Sequence, residues 1–388
     1  MPDLKIILFG NLPLDLSKTK GGVESVCLNL LEGFSNFKTV KISFISFSNE
    51  IKEAYSHQYS ANCRLHYLPY KYPALELVDY ILNRKALKYL IQQIQPDIIH
   101  IQGASPSLLR FFNYCKHNIV VTQHGIMSEE IKYNQGLQKK AKFFFKVLIE
   151  KYYFPAFRNI IFISNYNFSL FQAAPKHNYA FINNPVNGIF FNNEPKHGNS
   201  HQLVYIGWIS RLKNVLLILN ALHVLKKRNI NYSLNIVGEF KEELYKQQVI
   251  KFIKEHDLNG QVTFKGQLTQ EQVKTELDNS SIFILPSLQE NLPVSIAEAM
   301  ARGKIVIASD VGAISEMFED GISGFLIPPN DYNKLADKLE FLHFNKEIAV
   351  EVARKAHITA SEKYRVELIA KKTVDFYSDL LINNAAKA

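Results

Sequence analysis

Two glutamates, Glu290 and Glu298, stand eight residues apart in the run Pro286-Ser287-Leu288-Gln289-Glu290-Asn291-Leu292-Pro293-Val294-Ser295-Ile296-Ala297-Glu298-Ala299-Met300. An apolar strand over 282–285 leads into the polar loop bearing Glu290, and a helix follows with Glu298 about two turns in. If the helix begins early, both carboxylates lie near one face, where one could hold a sugar hydroxyl and the other a ribose hydroxyl. Exposed loop N–H groups and the positive end of the helix dipole suit a diphosphate. The same spacing also suits two solvated glutamates at a helix start.

Other residues that could do chemistry follow strands. Gly21-Gly22, after a strand over 6–10, would let backbone approach a phosphate with no Cβ in the way; such a pair also makes an ordinary turn. His124-Gly125 follows a strand over 119–122, and a neutral imidazole there could hydrogen-bond a sugar hydroxyl or support structure alone. His100 ends another strand and is read as fold support. Arg211 and Lys213 lie in Gly207-Trp208-Ile209-Ser210-Arg211-Leu212-Lys213-Asn214, where cations could meet a diphosphate that gains charge as it leaves; Arg211 could equally be a solvated residue at a helix start. Asp-x-Asp does not occur, and no His/Cys cluster has metal-ligand spacing, so no metal and no cofactor are expected. No Ser/His/Asp or Cys/His set offers a dedicated nucleophile.

These residues need a scaffold that alternates strand and helix. Strands over 41–47, 98–102, 119–122 and 159–163 alternate with helices such as 23–34 and 76–93, which implies a parallel sheet covered on both faces. A polar stretch, 192–201, containing Pro195 and Gly198, reads as a linker. The pattern then restarts with strands over 203–206, 233–237, 262–264, 282–285, 305–308 and 324–327, and with helices over 215–227 and 241–255. The second half is therefore expected to be another doubly wound sheet, with ligands beyond the carboxyl ends of its strands.

At 388 residues the chain exceeds what one core normally spans, which favours two domains. No apolar run reaches the roughly 18 to 20 residues of a spanning helix. Three widely spaced cysteines, Cys27, Cys63 and Cys115, fit reduced thiols, so a cytoplasmic location is expected. The net charge of +9 is all in the first half: residues 1–198 hold 22 Lys+Arg against 13 Asp+Glu, and the rest 23 against 23. Within 138–158, Lys139, Lys140, Lys142, Lys146, Lys151 and Arg158 interleave with Phe143, Phe144, Phe145, Tyr152, Tyr153, Phe154 and Phe157. Such a mixture suits an anionic membrane surface, and it also suits a helix with aromatics in the core and lysines in water. Nucleic acid is not an expected partner, because no nucleic-acid motif accompanies the charge.

Over nearly its whole length the chain resembles the retaining glycosyltransferases of family 4 (glycosyl transferases group 1), which have the GT-B fold. The resemblance is carried by Gly21-Gly22-Val23-Glu24, Pro96-Asp97-Ile98-Ile99-His100, Thr122-Gln123-His124-Gly125, Asn184-Pro185-Val186-Asn187, 207–214, Ile236-Val237-Gly238, Phe264-Lys265-Gly266 and the run 281–329. It implies an α/β protein of two Rossmann-like, doubly wound domains facing across a cleft. Residues 1–190 would bind the acceptor and 200–365 the nucleotide-sugar, with a helix over 366–388 crossing back to the first domain.

By the same resemblance Glu290, His124 and Lys213 are the catalytic set, with Glu290 on the donor sugar's hydroxyls and His124 beside that sugar. Glu298 would bind the ribose, and backbone around Asn291, Leu292 and Val294 the diphosphate; Pro293 has no N–H to give. Gly21, Gly22, Arg211 and Gly238 complete the donor set. The family's arginine after the glycine is replaced by Trp208, and Arg211, three residues on, could supply that charge. The implied activity is a metal-independent hexosyl transfer with retention, from a UDP-sugar before a GDP-sugar, to a glycan or lipid-linked acceptor of cell-surface polysaccharide or glycolipid. A non-catalytic partner subunit on the same fold is the alternative that Trp208 favours. An epimerase or phosphorylase would need a cofactor lysine or a different set of loops.

Overall fold

The computed structural model describes all residues except 1–2, 20, 71–75, 104–110, 112–117, 134–143, 145, 149, 153, 172–176, 193, 196–197 and 386–388. The chain forms two compact units, one of Met1–Thr19, Val23–Pro185 and Val366–Ala388, the other of Lys20–Gly22 and Val186–Arg365.

The first unit is built on strands β1 (Leu4–Phe9), β2 (Val40–Ser48), β3 (Tyr55–Ser60), β4 (Cys63–Pro69), β5 (Ile98–Gln102), β6 (Asn118–Gln123), β7 (Asn159–Phe162) and β8 (Asn178–Phe181). They lie in the order β3-β4-β2-β1-β5-β6-β7-β8. All neighbours are parallel except β3 and β4, which run antiparallel. β1 is buried over the apolar run Ile6–Phe9, and β5 along its whole length with polar His100 and Gln102 included, as strands central to a covered parallel sheet are. The sequence reading lacks β3, β4 and β8. β3 is mostly exposed and polar, so it carries no hydrophobic alternation; Tyr55 and His57 stack on Tyr67 of β4.

The helix Gly22–Ser35 buries Val26, Cys27, Leu30, Leu31 and Phe34, a spacing that keeps one face on the sheet. It meets the C-terminal helix Val366–Ala385 at Gly33, where a Cβ would come within 2.7 Å of Ala370 Cβ and 2.9 Å of the Val366 carbonyl oxygen. Only glycine allows so close an approach. Tyr377, fully buried on that helix, reaches His100 Nδ1 at 2.5 Å.

The second unit has β9 (Asn199–Ile206), β10 (Ser233–Val237), β11 (Val262–Gly266), β12 (Ser280–Leu285), β13 (Ile305–Ser309) and β14 (Phe325–Ile327), all parallel, in the order β11-β10-β9-β12-β13-β14. The helix Val215–Lys227 buries Val215, Ile218, Leu219, Leu222 and Leu225, one apolar stripe of period 3.6. The expected linker is shorter than 192–201. β9 begins at Asn199, and Gly198 lies so close to Ser280 that a Cβ would stand 2.2 Å from its carbonyl oxygen. Fully buried Arg302 fixes the preceding segment, donating to the carbonyls of Phe190 (3.3 Å), Asn192 (2.9 Å) and Glu194 (3.4 Å) and to Asp278 (2.7 Å). The next helix starts at Glu243 rather than 241: Glu242 is still extended, at φ −138° and ψ +117°, and the Lys241 N–H donates to the Ile209 carbonyl (3.0 Å).

Candidate functional site

In the second unit the predicted donor residues gather at the carboxyl ends of the strands. Gly207, Gly238 and Gly266 end β9, β10 and β11 with φ of +151°, +130° and +67°. A Cβ at Gly238 would stand 2.0 Å from the Gly207 carbonyl oxygen, so the strand ends pack backbone on backbone. Ile209 then donates to the Glu239 carbonyl at 2.8 Å.

The loop after β9 carries Trp208, Arg211 and Lys213 and ends at Asn214, in the left-handed region at φ +51°, before the helix Val215–Lys227. One backbone bond, Leu288 N–H to Leu212 O at 2.8 Å, ties it to the loop after β12. That bond sets the Lys213 ammonium against Glu290 Oε1 in a tight ion pair, and Ser287 Oγ donates to the same oxygen at 2.6 Å. Glu290 is supported from its backbone as well: Gly312, at φ +58°, lies where a Cβ would be 1.7 Å from the Glu290 carbonyl oxygen. Ser287 and Gly312 escape motif reading, since their roles exist only through contact with Glu290.

Pro293 caps the helix Val294–Ala301, so Glu298 is its fifth residue, about one turn in rather than two. Glu290 therefore stays in the loop before the helix. Apart from half-buried Ser295 the rest of the helix is apolar and buried, and Glu298 is only 7% exposed. Burial pushes its carboxyl up to about 7. The side chains of Leu292 and Val294 are buried and apolar, which leaves the backbone as what these two can offer a ligand. The helix ends at Gly303, φ +61°, with Lys304 N–H returning to the Ala299 carbonyl at 2.9 Å.

Arg211 is not simply solvated: its Nε stands 3.6 Å from Glu242 Oε2. A cation that sequence reasoning missed is Lys241, whose ammonium lies 4.5 Å from the Trp208 ring centroid. The Trp208 carbonyl accepts from Tyr205 Oη at 2.7 Å, which orients the indole's backbone. Only the contact reveals Lys241, because it lies 33 positions from Trp208 in the chain.

Gly22 opens the helix Gly22–Ser35 with Gly21 just before it, and a Cβ on Gly22 would meet nothing within 4 Å. Packing within the chain does not require glycine at 22. In the first unit, His124 follows β6 and donates through Nε2 to Gln102 Oε1 at 2.6 Å. Gln102 Nε2 in turn lies 3.1 Å from His100 Nε2, which also meets Thr122 Oγ1 at 2.7 Å. Desolvation lowers His124 to about 4 and His100 to about 3, so both are neutral at pH 7. His100 is thus part of a buried hydrogen-bond chain from Tyr377 to His124.

In the segment 138–158, Phe144 and Tyr152 are exposed, at 57% and 68%, whereas Phe154 and Phe157 are buried in the core. Glu150 accepts from Gln123 Nε2 and from the Met127 N–H (3.0 Å), and burial pushes it up to about 7. Lys139, Lys140, Lys142, Phe143, Phe145 and Tyr153 lie outside the described residues. Among the described residues no helix is long and apolar enough to cross a membrane.

Residues 20–187 match the family model described as Glycosyltransferase Family 4, and 188–358 match that of Glycosyl transferases group 1. Together the two models span most of the chain, which belongs to the group 1 glycosyltransferases with the GT-B fold. The poly(ribitol-phosphate) alpha-N-acetylglucosaminyltransferase of Staphylococcus aureus is 29% identical over 196 residues, half of this chain; the chain covers only 38% of that enzyme's length. Among solved structures, sucrose-phosphate synthase from Thermosynechococcus elongatus superposes with a TM-score of 0.83 at 17% identity, covering 98% of this chain and all of that one. Anabaena HepE, solved in complex with UDP-glucose, superposes at 0.73 and 16% identity, over 97% of this chain and all of that one. At these identities the structural likenesses establish the fold.

Proposed function

We propose that the chain is a retaining, metal-independent hexosyltransferase that moves a sugar from a UDP-sugar to a glycan or lipid-linked acceptor in cell-surface polysaccharide or glycolipid synthesis. The observation that carries this reading is the Glu290 carboxylate, held by Lys213 and Ser287 at the carboxyl ends of β9 and β12, with Glu298 buried one turn into the helix that follows. Glu290 accepts from the donor sugar's hydroxyls, and Glu298 from the ribose. The diphosphate lies against the backbone of Asn291, Leu292 and Val294 and the helix N-terminus, with Gly238 leaving room for it. Lys213, Arg211 and Lys241 offset the charge that grows on the departing diphosphate. The acceptor oxygen bonds to the anomeric carbon as the carbon–oxygen bond to diphosphate breaks, and the acceptor proton passes to the leaving oxygen. Gly21 and Gly22 admit a phosphate closely, and neutral His124 hydrogen-bonds the sugar. A GDP-sugar is the other donor the same residues would serve. The HepE complex with UDP-glucose supports the choice of UDP.

Glu290→Ala should lower kcat by at least ~100-fold with little change in Tm, since loss of one preorganised group at developing charge typically costs 10²–10³. Adding EDTA should leave wild-type turnover within a small factor. Wild-type turnover in Glu290→Ala at saturating donor overturns the site, and a rate abolished by EDTA and restored by Mn²⁺ overturns metal independence. Trp208, standing where the resemblance leads one to expect arginine, favours a second reading, a non-catalytic partner subunit. Nucleoside diphosphate released only when acceptor is added separates the two.

A further inference from the structure

Past Gly207 and Gly238 the ends of β9 and β10 stay paired. Gly207 N–H donates to the Val237 carbonyl (3.0 Å), Ile209 N–H to that of Glu239 (2.8 Å), and Lys241 N–H back to that of Ile209 (3.0 Å). Fully buried Ile209 is bridged to Phe240, so strand alternation turns Trp208 on one segment, and Glu239 and Lys241 on the other, to the opposite face. There the Lys241 ammonium lies 4.5 Å from the Trp208 ring centroid.

Trp208 is half-buried, and its position is fixed twice, by the Tyr205 hydroxyl on its carbonyl (2.7 Å) and by the lysine against its ring. Its nitrogen edge lies beside the Gly21-Gly22 turn, which belongs to the same unit: a Cβ on Gly21 would stand 3.9 Å from Trp208 Nε1. Among the described residues the indole N–H meets no hydrogen-bond acceptor. An indole nitrogen is a donor only, so whatever binds there must bring an oxygen. A phosphate oxygen suits the place better than a hydroxyl, because two glycines leave room for a broad group and Lys241 adds positive charge beside the N–H. Glu239 and Glu242 flank Lys241 in the chain, and Glu242 already stands 3.6 Å from Arg211 Nε, so the lysine alone is a weak anion trap. The directed contact is the N–H.

We propose that Trp208 is a donor-binding residue, its indole N–H donating to the diphosphate of the nucleotide-sugar beside Gly21-Gly22 while Lys241, held against the ring, supplies the accompanying charge. The inference rests on the transferase reading and gives it a contact that tightens as the departing diphosphate gains charge. Trp208 then no longer favours the non-catalytic subunit.

The test titrates the full chain with UDP, GDP and uridine by calorimetry, and follows the emission of Trp208, the chain's one tryptophan. A nucleoside diphosphate should change that emission, and saturating uridine should not. Trp208→Phe, which keeps a ring and loses the N–H, should weaken UDP at least ~10-fold and leave the weaker binding of uridine within about twofold, since only the diphosphate loses a bond to a charged group. Lys241→Met should weaken UDP severalfold and lessen its dependence on salt. If neither UDP nor GDP binds the wild-type chain, the inference falls together with the transferase reading. If UDP or GDP binds and Trp208→Phe keeps wild-type affinity for it, the inference falls alone. Should Trp208→Phe fail to fold, wild-type emission left unmoved by a bound nucleoside diphosphate overturns the inference in its place.

Discussion

Glu298 illustrates how much a single residue's setting decides. Its carboxyl sits at about 7 in the folded chain against an ordinary 4.5, because burial disfavours the charge. Between those two values the folded state holds the extra proton, so this group's contribution to stability is present below about pH 4.5 and is lost as pH rises through 7. Glu298→Gln should therefore raise Tm by a few degrees at pH 8 and hardly at all at pH 5, since every tenfold change in a carboxyl's proton affinity on folding is worth about 1.4 kcal/mol. If the ionised carboxylate holds ribose, wild-type donor affinity should also rise from pH 6 to pH 8, while the variant's stays low and flat. A thermal shift series with donor titrations at three pH values checks both; a lower Tm for the variant at pH 8 would refute the burial account. The spacing of Glu290 and Glu298 was legible in the sequence, as was Lys213. The perturbed carboxyl was not, because burial depends on the elements packed around the helix.

At the scale of elements, the strands and helices that carry the site are those the sequence marks by continuous apolar runs and by period 3.6, with shifts of a residue or two at most ends and of four at the start of β9. β3 was illegible because it is exposed and polar, and β8 because it is only four residues long and mostly exposed; such strands hold their place by pairing with a neighbour rather than by their own pattern. The loops between elements are set by glycines whose need shows only in three dimensions. Gly312 is the sharpest case: its φ of +58° and the 1.7 Å approach of a Cβ to the Glu290 carbonyl leave no room for alanine. Gly312→Ala should displace the Glu290 loop, lowering kcat/KM at least ~10-fold and costing on the order of 1–3 kcal/mol of stability. Gly260→Ala, where a Cβ meets nothing within 4 Å, serves as control. Activity and Tm of the two variants decide the matter, and a Gly312→Ala enzyme indistinguishable from the control would remove this support for Glu290.

The whole molecule keeps its charge excess in the first half and, Gly21 and Gly22 aside, its candidate donor residues in the second. Exposed Phe144 and Tyr152 beside Lys146 and Lys151 support the proposal that the first unit docks on an anionic membrane surface at the cytoplasmic face, although Phe154 and Phe157 belong to the core and can take no part. Cosedimentation should rise with the fraction of anionic lipid, fall with salt, and drop severalfold when Lys139, Lys140, Lys142 and Lys146 become Gln. Equal recovery in the supernatant with neutral and anionic vesicles at low salt would end the proposal. The division into two α/β halves was readable from the restart of the pattern after the linker. That the last helix belongs to the first unit came only from the family resemblance, since an amphipathic helix declares that it packs but not upon what.

That last helix also dictates an order of assembly. Gly33 and His100 make their closest contacts with Ala370, Val366 and Tyr377, so the first unit's socket for this helix stays unfilled until residues after Arg365 have been synthesised. All of Val186–Arg365 is made in between, which at roughly 5 to 20 residues per second takes on the order of ten to forty seconds. Almost all of the second unit lies in that contiguous stretch. The half translated first is therefore completed last, once the helix Val366–Ala385 has emerged to meet Gly33 and His100.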